Sequence, residues 1–196
     1  LFRSVRLRWP ELGRTVPADR ARDACGDAAA HALEALGSPL ADDALRNRAA
    51  GLVRRFQEMP LAYHPEWFEL SAEATAVQAA SSVGLVHAIA HVLEPHPMTP
   101  RRDATHARLC ATYLLPVLQF NAAQSDKLSR LLDQSSIDLP ALLAWAGRLF
   151  DPMVFERTLP VLLASWPAIL RDRCARTNVA LVRPGHVDFF RAWAPA

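Results

Sequence analysis

Apolar positions along the chain recur mostly at helical spacing, and the interruptions fall at prolines and glycines. Pro17 opens a first helix through "ADRARDACGDAAAHALEAL" (18–36) that stops at Gly37. Ser38 and Pro39 read as an N-cap and a first-turn proline, which predicts a second helix over 39–58. "PLAYHPEWFE" (60–69) holds two prolines and reads as a loop. From Ser71 a third helix is predicted, rich in small residues to Gly84 and apolar through Leu93, hence central and buried. "EPHPMTPRRD" (94–103), with three prolines, is a loop, and Asp103 is the N-cap of a helix that Pro116 should bend or break. Shorter helices are expected near 124–134, 137–149, 160–173 and 186–193. Only "RSVRLRW" (3–9), which alternates apolar and basic residues, reads as a strand. The expected fold is an all-α helical bundle with one short N-terminal edge strand.

Composition narrows the class. With 196 residues, 51% hydrophobic and 21% charged, the chain is long enough for one domain with a substantial core and is not of disordered composition. A net charge of +2, with scattered arginines, gives no footprint for nucleic acid or a membrane surface. No single run reads as a bilayer span. Cys25, Cys110 and Cys174 are odd in number and widely spaced, which fits a reducing, cytoplasmic setting better than a disulfide framework.

The candidate chemistry lies in histidines on helices. Asp27 and His31 are four apart, as are His87 and His91, and residues at that spacing share a helix face about 6 Å apart along the axis. A carboxylate and an imidazole so placed can reach one divalent cation, and this donor set suits Fe(II) or Zn(II) better than Ca(II) or Mg(II). The same spacing also describes a hydrogen-bonded surface pair and a pair of satisfied core histidines. His106 lies in the first turn of the helix after the loop. His64, His96 and His186 take no role from spacing alone.

The order of three segments, "DAAAHALEA" (27–35), "GLVHAIAHVL" (84–93) and "THARLCATYLLPVLQFN" (105–121), resembles the helical metal-binding half of the iron-containing alcohol dehydrogenase family. Residues 5–35 resemble the passage from the last strand of that family's nucleotide-binding domain into its first metal-domain helix. "CARTNVALVRPGHVDFFRAW" (174–193) resembles its terminal segment and closing helix. The resemblance implies a C-terminal half like that of dehydroquinate-synthase-like enzymes, with residues 1–12 a remnant of a preceding α/β domain and 13–196 the helical domain. It implies Asp27, His31, His87 and His106 as ligands of Fe(2+) or Zn(2+), with His96 the competing fourth ligand, and His91 as the proton-transfer residue. It also implies hydride exchange between NAD(P) and an alcohol or aldehyde substrate, and a homo-oligomer in the full-length protein. A histidine followed by Ala107 is similar to the maleylacetate reductase branch. No GGGS or GxGxxG segment is present, so these 196 residues are expected neither to bind NAD(P) well nor to turn over alone. The competing expectation is a non-catalytic helical remnant or partner protein that has lost metal and cofactor.

Overall fold

The structure, a computed structural model, describes residues 13–99 and 104–193. Nine α-helices and two short 3-10 turns make up the described residues, with no strand among them. In chain order the helices are α1 (Ala18–Gly37), α2 (Asp43–Glu58), α3 (Trp67–Ser81), α4 (Leu85–Leu93), α5 (His106–Gln124), α6 (Asp126–Gln134), α7 (Leu139–Gly147), α8 (Pro152–Arg171) and α9 (Val187–Ala192). The all-α expectation holds. The expected strand at 3–9, the proposed domain remnant 1–12 and the Asp103 cap lie outside the described residues.

The first helix is the axis of the bundle. From Cys25 to Gly37 it is buried at nearly every position, and Ala28, Ala29, Ala30, Ala32 and Ala35 keep it thin enough for α2, α3 and α5 to pack around it. The tightest approach is at Gly26. A Cβ there would lie 2.4 Å from the Cβ and 2.6 Å from the Cα of Ala111, so α1 and α5 meet almost backbone to backbone. That contact fixes which face of α5 looks toward Asp27.

Two boundaries shift because a polar group is used at long range. Ser38 does not cap α2. Its hydroxyl is buried, donates to the Ser81 carbonyl at 2.5 Å and so ties the ends of α1 and α3 together. The second helix starts later, where the Asp42 carboxylate accepts the Leu45 N–H at 2.7 Å. The expected single helix 71–93 is two helices, bent by 99° at Ser82–Gly84. Ser82 has φ 69° and ψ 178°, a positive-φ conformation that cannot continue the helix, and the Thr177 hydroxyl donates to the Val83 carbonyl at 2.5 Å. At Gly84 a Cβ would sit 2.9 Å from both Glu34 Oε1 and Asn178 Oδ1, so only glycine admits those groups.

The last two helices of interest run through prolines. Pro116 lies inside α5, which continues to Gln124 rather than breaking. The eighth helix spans 152–171 instead of 160–173, with Pro152 in its first turn and Pro160 and Pro167 inside. By length and composition α8 is apolar enough to cross a membrane, contrary to the expectation that no run reaches that length. Its buried residues, among them Val161, Leu162, Trp166 and Ile169, pack toward α4, α5 and α9.

Asp151 starts α8 and gives a pH-dependent anchor. Its Oδ1 accepts the N–H groups of Met153 and Val154, and Arg108 Nη2 donates to Oδ2 at 2.6 Å. Burial pushes this carboxyl upward, but the Arg108 hydrogen bond and the two backbone donors outweigh it and hold it below the usual range. A folded-state value below the unfolded one means the contribution is present above about pH 4 and is lost as pH falls through the folded value. Asp151→Ala should therefore cost about 2 kcal/mol at pH 7. In urea unfolding, the gap between wild type and variant should narrow steadily below about pH 4. A gap independent of pH would refute the ionised cap.

Candidate metal centre

Three helices bring the site together. Asp27 and His31 come from one face of α1, His87 from α4 and His106 from the first turn of α5. Asp27 Oδ1 lies 3.3 Å from His87 Nε2 and 3.9 Å from both His31 Nε2 and His106 Nε2. The His31 and His87 rings stack with centroids 4.5 Å apart, and the His87 and His106 rings stand at 5.6 Å. His87 is only 2% exposed. Asp27 Oδ1 and His87 Nε2 face each other without the alignment of a hydrogen bond, and His31 Nδ1 is likewise buried and unbonded. Orphaned polar atoms in a folded interior are uncommon, and two of them, Asp27 Oδ1 and His87 Nε2, face each other here at 3.3 Å.

The far sides of two of the rings, His87 and His106, are held by carboxylates. His87 Nδ1 is 2.6 Å from Glu34 Oε2, while Glu34 Oε1 accepts the Val86 N–H at 2.6 Å. His106 Nδ1 is 3.3 Å from Glu94 Oε2, and Glu94 Oε1 accepts the His106 backbone N–H at 3.2 Å. Carboxylates on Nδ1 orient the imidazoles and leave Nε2 of each for the centre, the arrangement that supports metal-binding histidines. Burial acts to lower the His87 pKa, but the Glu34 charge and the neighbouring Asp27 prevail and the ring is driven to hold its proton. Burial and the charge on His87 lower the His31 pKa, which favours the neutral, ligand-competent imidazole. Asp27 would be raised by burial, yet His87, His31 and His106 together hold it below the usual carboxylate range.

His91 stands beside this group. Its ring stacks on His106 with centroids 5.5 Å apart, its side chain is 40% exposed, and its Nδ1 is 3.3 Å from Asp172 Oδ2. Asp172 also accepts the Cys174 N–H at 2.7 Å, so the short turn Arg173–Thr177 fixes the carboxylate that fixes the histidine. His96 is used in its own loop, where its Nδ1 accepts the Met98 N–H. Of the two competing histidines, His106 is the one whose ring joins the cluster.

Solved structures share this architecture. An iron-containing alcohol dehydrogenase from Thermococcus thioreducens superposes with a TM-score of 0.70 over 95% of this chain, at 18% identity. The fold is that of the helical half of iron-containing alcohol dehydrogenases. An alcohol dehydrogenase from Oenococcus oeni (TM-score 0.66, 18% identity) and a 1,3-propanediol oxidoreductase (0.65, 20%) each cover 93% of the chain. The chain spans about half the length of these structures, 54% of the first and 53% of the other two. No protein-family model and no curated protein matches the chain.

Within this dehydrogenase fold the structure adds three residues that spacing did not single out. Glu34 follows His31 by three positions on α1, so its face was readable, but its role depends on α4 docking across it after the 99° bend. Cys110 lies one turn beyond His106 and is fully buried in the cluster, where the sequence offers it as an ordinary core residue. Asp172 follows a helix whose end was expected two residues later.

Proposed function

We propose that the chain is the metal-binding catalytic half of an iron-type, NAD(P)-dependent alcohol dehydrogenase that interconverts an alcohol with an aldehyde or ketone. The observation that carries the reading is Asp27 Oδ1, buried and unbonded, with the Nε2 atoms of three histidines at 3.3–3.9 Å. The donor set of one carboxylate and three imidazoles, with Nδ1 of two of them already engaged by carboxylates, fits Fe(2+) or Zn(2+). Asp27, His31, His87 and His106 would hold the ion, which when bound polarises the substrate oxygen as a Lewis acid.

The remaining roles belong to side chains of this chain. His91 is partly open to solvent and anchored through Nδ1 by Asp172, so its Nε2 is the proton carrier toward substrate. The stacked His106 ring keeps His91 next to the centre. The nicotinamide, as hydride donor and acceptor, belongs to a nucleotide-binding segment outside these residues, and turnover requires it.

Elemental analysis of anaerobically purified protein tests the reading. About one divalent ion per chain is expected, as for a single mononuclear site. Both His31→Ala and His87→Ala should lose it while keeping helical circular dichroism. Metal-free wild type, with folding unchanged in both variants, would instead mean a helical protein whose histidines serve only internal packing.

A further inference from the structure

Cys110 sits where a ligand would sit. It is one helical turn from His106 on α5, so the two side chains share a face. The backbone contact between Gly26 and its neighbour Ala111 prevents α5 from turning that face away from α1. Its Sγ is 3.6 Å from His106 Nε2, and single donor atoms of Asp27, His87, His106 and Cys110 all lie within 4.8 Å of one another. A tetrahedral zinc ion with nitrogen at about 2.1 Å and sulfur at about 2.3 Å has ligand-to-ligand edges of about 3.4 and 3.6 Å. The Asp27–His87 separation of 3.3 Å and the Cys110–His106 separation of 3.6 Å match those edges. Two of the facing atoms, Asp27 Oδ1 and His87 Nε2, are buried without hydrogen bonds, and His87 is almost wholly enclosed.

We infer that Cys110 is a thiolate ligand of the metal, completing a site with Asp27, His87 and His106, with His31 as the further donor on the α1 side. The inference rests on the metal-centre reading above and adds a soft ligand to it. On binding, the sulfur–metal bond replaces the S–H bond and the thiol proton leaves to solvent. His31 Nε2, 3.9 Å from Asp27 Oδ1, makes a fifth donor, a coordination number that zinc reaches by expansion from four.

Cobalt(II) titration of the full chain, stripped with chelator and kept reduced, separates the two claims. Visible d–d bands report that a site exists, and a near-ultraviolet sulfur-to-cobalt charge-transfer band reports a thiolate on the ion. Both are expected in the wild type. Cys110→Ala and Cys110→Ser should abolish the ultraviolet band, and Cys174→Ala should keep it, with circular dichroism confirming folding in each. Visible bands without the ultraviolet band in wild type would overturn the Cys110 assignment and leave the metal centre standing. So would an ultraviolet band that survives in both Cys110 variants. No cobalt uptake at all would overturn both.

Discussion

Glu34→Gln should destabilise the metal-free protein by about 3 kcal/mol and weaken its metal affinity by about 10–100-fold. The argument is one of counting acceptors. Glu34 serves two buried donors, the Val86 N–H through Oε1 and His87 Nδ1 through Oε2, each at 2.6 Å. A glutamine of the same volume offers one acceptor oxygen, so one donor must face an NH2 group in a site where solvent cannot intervene. The charge balance suffers as well. His87 is held protonated because Glu34 outweighs the effect of burial, so its folded pKa is above the unfolded value. The resulting stability is complete below about pH 6.5 and is lost as pH rises through the folded value. Chemical denaturation of metal-free protein at pH 6 should show the full deficit, and chelator competition should show the affinity loss. Equal stability of variant and wild type at pH 6 would mean that the Glu34–His87 pair does not hold α4 to α1.

Gly26→Ala should also destabilise, by about 2 kcal/mol, against the rule for helix interiors. Alanine in place of glycine normally gains about 1 kcal/mol in a helix. Here the new methyl meets the Ala111 Cα at 2.6 Å, and backbone has no rotamer to escape into. The helices must part by about 1 Å to restore van der Waals distance, losing dispersion contacts along their shared length. Overlap therefore outweighs propensity. Ala111→Gly in the same chain removes the 2.4 Å clash between methyls but not the one with Cα, so rescue should be partial. Because Asp27 follows Gly26 and His106 is on α5, the separation should also lower metal affinity in proportion to the stability loss. A stabilised variant would show that the crossing is looser than described.

Much of this was legible in the sequence, because helices announce themselves locally. The first helix was bounded correctly by Pro17 and Gly37. Its Asp27–His31 face followed from period alone, and the segments holding His87 and His106 were helical as expected. What failed was non-local. Ser38 looks like a cap for the residues after it, but its hydroxyl is taken by Ser81, 43 positions away. The 71–93 stretch carries no proline, and its break comes from one positive-φ serine stitched by Thr177 from the C-terminal region. Pro116 reads as a helix breaker and Pro160 as a helix start, yet burial of the surrounding apolar faces carries both helices through them. The site residues missed had the same cause. Glu34, Cys110 and Asp172 acquire partners only after distant helices dock.

The sharp turn between α3 and α4 has an electrical consequence. By starting a new helix at Leu85, it points the positive end of a peptide-dipole array at Glu34, whose Oε1 takes the Val86 N–H while the Leu85 N–H goes to Asn178 Oδ1. The negative charge of Glu34 is thus stabilised by backbone that does not move, whatever occupies the other side of His87. An ion held by Nε2 in place of its proton would leave the Nδ1 side with its present partner and the ring with its present orientation. Loading and unloading the proposed centre would then be confined to one nitrogen of an imidazole whose other face is clamped in a fixed field.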